Sequence, residues 1–216
     1  MRDNRIRIVQ ALGVAAALVA WKYLPGRRAP LTQAVLAAAL VTATHSPLGL
    51  RPPALWAGLR AGTAAASTVI AAVAVSITIP GVREGLAERT PPASPAAWLV
   101  FRIPVGTVWS EEAAYRGALT TLAFDAFGAR GGRLFQALVF GLSHIADARA
   151  AGDSVVGTVV ATGLAGWVFG RLAERSGSLA APMLAHLAIN EAGAVATLAV
   201  RHSSAEKPKG ATDAHE

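Results

Sequence analysis

The sequence predicts an all-α protein: a polytopic transmembrane bundle of about seven to eight helices around a polar intramembrane cavity. Of its 216 residues, 53% are apolar and only 15% are charged, whereas an ordinary soluble domain carries about 25% charged residues. So few charged groups cannot cover a soluble globule. Aromatic residues make up only 6% of the chain and alanine is abundant, which suits closely packed helices better than a β-barrel.

Apolar stretches define the predicted helices. They cover these approximate ranges: 8–21, 31–50, 55–79, 96–127, 134–145, 154–172 and 179–200. The 96–127 stretch is long enough for two helices, and about 20 residues suffice to cross a hydrocarbon core of about 30 Å. The first stretch follows several arginines and resembles a secretory signal, but the further apolar stretches behind it favour an uncleaved span.

The other segments predict connections within one domain, which we place at residues 1–200. Residues 81–95 mix charges with prolines and predict a loop. The glycine-rich residues 127–133 predict a turn. Residues 201–216 are polar and are expected to form a disordered tail.

The formal charge of +7 arises from basic residues that lie singly or in small groups at the ends of apolar stretches. This distribution is typical of residues that flank membrane spans, and it argues against nucleic-acid binding. The expected partner is therefore a lipid bilayer, and the abundant alanine, arginine and glycine favour a bacterial inner membrane. The chain has no cysteine, which excludes disulfides, thiolate metal sites and a cysteine nucleophile.

Polar residues inside the apolar stretches are the candidate functional residues. A charged side chain in mid-membrane costs at least about 2.5–3.5 kcal/mol on insertion scales, so it usually faces a cavity and has a function. Three stretches carry such groups, which we expect to share one polar centre: Glu111, Glu112, Arg116, His144, His186 and Asn190.

Helical spacing assigns these residues to faces. Glu112 and Arg116 are four residues apart and can form an ion pair on one face of a helix. Glu111 points about 100° away from that pair. His186 and Asn190 also share a face.

The free carboxylate, the two imidazoles and the amide are the groups that a hydrolytic site needs. They can supply a general base, a second acid, base or ligand, and hydrogen-bond donors to an oxyanion. A structural interpretation stays open for each residue. The histidines and the asparagine can join helices by hydrogen bonds, and the Glu112–Arg116 pair can be purely structural. Soluble-protease signatures such as His-Glu-x-x-His and Gly-x-Ser-x-Gly are missing from the sequence.

Three motifs in this order resemble those of the CAAX-protease and bacteriocin-processing family. They are Glu-Glu-x-x-x-Arg at 111–116, Phe-x-x-x-His at 140–144 and His-x-x-x-Asn at 186–190. Each motif alone is weak evidence, but the ordered set inside apolar stretches is specific. The resemblance covers about residues 105–195.

The resemblance implies an intramembrane endopeptidase that acts on a membrane-embedded or lipid-anchored peptide or protein. Glu111 would activate a water molecule, and His144 would help to hold or polarise it. His186 and Asn190 would stabilise the oxyanion, and Glu112 with Arg116 would support the site. The family has been interpreted as metal-dependent and as glutamate-dependent without a metal. Glu111, His144 and His186 are therefore candidate ligands of one zinc ion, and the alternative is that no metal takes part.

Two other functions remain open at this point. The polar centre can serve packing in a non-proteolytic membrane protein for bacteriocin immunity or scaffolding. A transporter with a protonatable relay would need Glu111 and His144 along a path, but no inverted repeat or broken helix pair supports it.

Overall fold

The chain folds into helices throughout the part that the structure describes. A computed structural model describes residues 2–24 and 29–205, and every regular element in these ranges is helical. The predicted all-α fold is thereby confirmed. The elements are α1 (Arg2–Trp21), α2 (Pro30–Ala43), α3 (Ala54–Ser76), α4 (Pro80–Glu88), α5 (Pro95–Ala97), two π-helices, π1 (Trp98–Trp109) and π2 (Glu112–Leu119), α6 (Thr120–Ser143), α7 (Ile145–Ala151), α8 (Val155–Ser176) and α9 (Ala180–Ala205).

Three helices are long and apolar enough to cross a membrane: Ala54–Ser76 in α3, Val155–Ser176 in α8 and Ala180–Ser203 in α9. Their apolar side chains include exposed ones, such as Ile70, Val160 and Val195. Charged and amide side chains such as Glu112 and Gln136 are instead fully buried. Exposed apolar side chains together with a few buried charged and amide groups suit a surface that contacts lipid. The protein is therefore a membrane protein.

The helix boundaries differ from the predicted ones at three places. Helix α2 ends at Ala43 rather than near Leu50, because Pro47 follows within one turn and disfavours helical backbone before it. The predicted loop at 81–95 contains helix α4, which Pro80 starts at its first position. The last helix runs to Ala205, so it passes the predicted boundary at residue 200, and the rest of the predicted tail, 206–216, lies outside the described residues.

A helical hairpin carries most of the candidate residues. Gly128 has a φ of 71° and a ψ of 171° inside α6, a conformation that glycine adopts without steric cost. The glycine-rich turn predicted at 127–133 is thus a sharp bend. The two arms pack antiparallel, since the ring of Tyr115 lies 5.0 Å from that of Phe140.

The first arm of the hairpin is a widened helix on both sides of Glu111. Pro104 lies inside π1 and cannot donate a backbone hydrogen bond. The Ser110 hydroxyl donates to the Val105 carbonyl over 2.8 Å, and the Thr120 hydroxyl donates to the Tyr115 carbonyl over 2.9 Å. Both bonds span five residues, as in a π-helix, a geometry that is frequent at functional sites.

Small residues let the helices approach closely. Helix α3 packs along α9, and a Cβ atom added at Gly62 would lie 2.9 Å from Ala181 Cα. Helix α6 packs along α8, where a Cβ at Gly141 would lie 2.6 Å from the Val159 carbonyl oxygen. Helix α1 packs against α6. Close helix contact through small residues is typical of membrane helices.

We expect Gly62→Val to lower the free energy of unfolding by about 1–3 kcal/mol, because the added methyl groups meet the backbone of α9, which cannot move aside cheaply. Thermal unfolding in detergent measures this loss. Gly13→Val in α1 is the matched control, since no heavy atom lies within 4 Å of its added Cβ. Equal stability of the two variants would contradict the close packing of α3 on α9.

Candidate active site

The four residues predicted to carry the chemistry meet at one cavity of about 490 Å³. The Glu111 residue lies between π1 and π2, and His144 caps the end of α6. Helix α9 provides His186 and Asn190. The cavity lining includes Lys22, Arg102, Glu111, His144, His186 and Asn190. The convergence of three helical segments that the sequence predicts is therefore present.

The two oxygens of the Glu111 carboxylate have different surroundings. Its Oε1 accepts a hydrogen bond from Lys22 Nζ over 2.7 Å. Its Oε2 is buried and has no hydrogen-bond partner among the described residues. This second oxygen lies 4.0 Å from His144 Nε2 and 3.9 Å from His186 Nε2. Both distances exceed a direct hydrogen bond, so the three atoms border an open space.

Local backbone geometry orients the His144 ring. Its Nδ1 donates to the Phe140 carbonyl oxygen over 2.8 Å, because a carbonyl can only accept. The ring also meets the Phe140 ring edge-on, with 4.7 Å between the centroids. In the neutral ring, Nε2 therefore has a lone pair and faces Glu111. The spacing of the Phe-x-x-x-His motif is the spacing of this bond across one helical turn.

A buried ionic chain orients His186. Arg116 Nη1 donates to Glu112 Oε1 over 3.1 Å, as the four-residue spacing predicts. The same oxygen accepts a hydrogen bond from His186 Nδ1 over 2.7 Å, which turns Nε2 of that ring toward Glu111. The acid and the arginine are both 0% exposed in their side chains. Glu112 thus contacts α9 as well as its own helix, a contact that sequence reasoning missed.

Aromatic rings surround the buried guanidinium. The Cζ atom of Arg116 lies 3.9 Å from the centroid of the Phe140 ring and 5.0 Å from that of Phe169. The His186 ring stacks on Phe169, with 5.1 Å between centroids and 28° between planes. A desolvated cation gains about 2 kcal/mol or more over such ring faces. The aromatic contacts therefore hold both the arginine and the histidine in place.

One amide hydrogen of Asn190 is engaged within α9. Its Nδ2 donates to the His186 carbonyl oxygen over 3.0 Å. An amide nitrogen carries two hydrogens, so the other remains for a group in the cavity that Asn190 lines.

Lys22 and Asp147 also line the cavity, and neither is among the predicted site residues. Lys22 forms the ion pair with Glu111, and its Nζ also lies 3.5 Å from Asp147 Oδ2. The sequence shows Lys22 only as one of several basic residues that end an apolar stretch. Asp147 follows His144 by three residues, and this spacing of about one helical turn is the local signal that could have indicated its place near the site.

The donor set does not fit a zinc ion. Among the described residues, no group of three or more His, Cys, Asp or Glu side chains is arranged to hold a metal. The three candidate ligands are Glu111, His144 and His186, and the first of them already binds the Lys22 ammonium group. A second cation beside that ammonium group would be repelled. We therefore derive no step through a metal.

The fold and the site define a membrane-embedded helical protein with a glutamate–histidine centre inside the bundle. Residues 93–192 match the family model described as type II CAAX prenyl endopeptidase Rce1-like. This match agrees with the family resemblance that the three motifs predicted, and at family level it supports an intramembrane endopeptidase. No curated protein and no solved structure matches the chain significantly.

We expect Arg116→Met to lower the free energy of unfolding by about 3–5 kcal/mol, because the buried Glu112 carboxylate loses its cation. The double variant Glu112→Gln/Arg116→Met should lose less, since it leaves no buried charge. Thermal unfolding in detergent compares the variants. Arg171→Met is the control, because its partly exposed pair with Glu174 contributes about 0–1 kcal/mol. The pairing would be contradicted if the double variant lost as much stability as Glu112→Gln and Arg116→Met lose together.

Proposed function

We propose that the protein is an endopeptidase that hydrolyses a peptide bond in a membrane-associated substrate, with Glu111 as the general base. The observation that carries the proposal is the open space between Glu111 Oε2 and the two Nε2 atoms, at 4.0 and 3.9 Å. The carboxylate oxygen and the two ring nitrogens face each other without direct contact, which leaves a place between them for a water molecule or a substrate group.

A water molecule suits this place. Its oxygen can lie at a hydrogen-bond distance of about 2.8 Å from both Glu111 Oε2 and His144 Nε2, because these two atoms are 4.0 Å apart. It would donate one hydrogen to each. The carboxylate is the stronger acceptor and takes the proton, while His144 holds the attacking oxygen toward the substrate.

The reaction then balances with the residues of the chain. The proton of the water passes to Glu111 Oε2 as its oxygen attacks the scissile carbonyl carbon, which gives a tetrahedral intermediate with an oxyanion. When the C–N bond breaks, Glu111 returns the proton to the leaving nitrogen. The products are a carboxylic acid and an amine, and Glu111 is again a carboxylate. One residue thus serves as base and then as acid.

His186 and Asn190 are the proposed donors to the oxyanion. Glu112 holds His186 Nδ1 and turns Nε2 into the cavity. An imidazolium ring carries a hydrogen on both nitrogens, and in that form Nε2 donates to the oxyanion. Asn190 adds the amide hydrogen that its bond to the His186 carbonyl leaves over. Removal of one such donor from an oxyanion site costs about 10²–10³-fold in rate in a well-studied protease.

The substrate class follows from two adjoining cavities. An apolar cavity of about 250 Å³ lies between α1 and α2, and Glu111 lines both this cavity and the polar one. A substrate with an apolar group beside its scissile bond would fit the pair. The matched family is described as acting on CAAX prenyl proteins, so a quenched peptide that ends in a prenylated Cys-aliphatic-aliphatic-X sequence is the first probe.

We expect Glu111→Gln and His144→Ala each to abolish cleavage of this peptide by the purified protein in lipid nanodiscs, because they remove the base and the group that holds the water. Fluorescence of the quenched peptide measures the rate. Glu84→Gln is the control, since Glu84 is exposed on α4 and lines none of these cavities.

The same peptide without the prenyl group tests the role of the lipid. If the wild type cleaves neither peptide, the termini of membrane proteins are compared between wild-type and Glu111→Gln cells. A terminus that is present only in wild-type cells identifies a natural substrate. Wild-type activity in both variants, or no change in any terminus, would overturn the proposal and favour the non-proteolytic alternative.

We expect the cleavage rate to be the same before and after incubation with a strong chelator. The Lys22 ammonium group lies 2.7 Å from Glu111 Oε1, and its charge repels a second cation at the same carboxylate, so the proposed steps use no metal. The rate is measured together with the metal content of the purified protein. Loss of activity with the chelator and recovery with added zinc would contradict these steps.

A further inference from the structure

We propose that Lys22 is a positioning residue for Glu111, so that the working site includes the N-terminal helix, which lies outside the family-matched residues 93–192. Its effect on catalysis rests on the function proposed above, but its pairing with Glu111 does not. The two parts are therefore tested by different measurements.

The geometry of Lys22 is that of a residue built into the site. The side chain is 14% exposed, and its Nζ binds Glu111 Oε1 at 2.7 Å. Asp147 Oδ2, on α7, lies 3.5 Å from the same nitrogen. The lysine lines both the polar and the apolar cavity, at the point where Glu111 separates them.

The end of α1 directs Lys22 into the bundle. The amide of Lys22 donates to the Val19 carbonyl over 3.2 Å, and that of Tyr23 donates to the Ala20 carbonyl over 2.9 Å. These bonds continue the helical turn past Trp21. Helix α1 packs against α6, and the turn at its end brings Lys22 within 2.7 Å of the Glu111 carboxylate.

Charge compensation requires a cation at this place. Glu111 is 9% exposed, and a buried carboxylate without a partner is strongly unfavourable. Arg116 is engaged by Glu112 at 3.1 Å. In the described part of the chain, no lysine or arginine other than Lys22 forms an ion pair with Glu111.

The pair also decides which oxygen of Glu111 faces the histidines. The ammonium group fixes Oε1, and this leaves Oε2 between His144 and His186. Without the lysine, the carboxylate can rotate and move either oxygen away from the water position. A displacement of about 1 Å in a reacting group can cost about 10²-fold in rate.

We expect Lys22→Met to lower kcat by about 10–100-fold with little change in KM, because the substrate still binds while the base is misplaced. Lys22→Arg should retain more activity, since it keeps a cation at this position. Both are measured on the full chain in nanodiscs with the quenched prenyl peptide. Arg149→Met, which removes an exposed cation from α7, is the matched control and should match the wild type.

A double-mutant cycle tests the pairing without any activity. Thermal unfolding is compared for the wild type, Lys22→Met, Glu111→Gln and the double variant. Each single change leaves one buried charge without its partner, so we expect the double variant to lose less stability than the sum of the single losses.

The outcomes separate the two proposals. An active wild type with equal kcat in Lys22→Met, or additive losses in the cycle, would overturn the role of Lys22. A wild type that cleaves neither peptide and changes no protein terminus, together with non-additive losses, would overturn the peptidase proposal and leave the Lys22–Glu111 pair in place as a structural contact. A drop in both kcat and stability that Lys22→Arg reverses supports the positioning role.

Discussion

Neutralisation of buried charge is the constraint on which the site depends. Two adjacent carboxylates lie inside the bundle, and an isolated charge in such a medium is prohibitively costly. The chain solves this with two separate networks. Glu112 is neutralised by Arg116 from its own helix, and Glu111 by Lys22 from helix α1. Because neighbours on a helix point about 100° apart, the two networks face different walls of the bundle and do not compete for one cation.

The close packing of the helices brings the charged groups of each network within contact distance of one another. Alanine dominates the buried core, with fully buried examples at Ala113, Ala118 and Ala123. These small side chains let the arms of the hairpin approach, and Phe140 on the second arm then covers Arg116 on the first. Larger residues at these positions would separate the helices and remove the aromatic cover from the guanidinium. The small-residue composition from which the sequence predicts a helical membrane protein is thus also what assembles the polar centre.

The contacts that were predictable from the sequence are local ones. The Glu112–Arg116 pair follows from helical periodicity, and the bend at Gly128 follows from a glycine-rich segment. The long contact between Lys22 and Glu111 spans 89 residues. It depends on how α1 docks on α6, and periodicity within one helix carries no information about that.

Two local features were also not predicted from the sequence. Helix α4 lies in a segment whose prolines and charges favour a loop, and Pro80 supports its first turn rather than breaking it. The widened helix around Glu111 was not predicted either, because a π-helix and an α-helix share the same apolar pattern over short stretches.

Glu111 and Glu112 are chemically identical, but they differ in their access to the cavity, and we assign them different roles for that reason. Glu112 is 0% exposed, and its Oε1 is shared by an arginine and a histidine. Loss of the negative charge at this carboxylate would leave the buried Arg116 cation without its anion. Glu111 lines the cavity and commits one oxygen to Lys22 while the other stays unpartnered. A base needs a compensated charge, a free lone pair and access to the cavity. Glu112 Oε2 is also without a hydrogen-bond partner, but Glu111 is the glutamate that lines the cavity, which is why we assign the proton transfer to it and the orientation of His186 to Glu112.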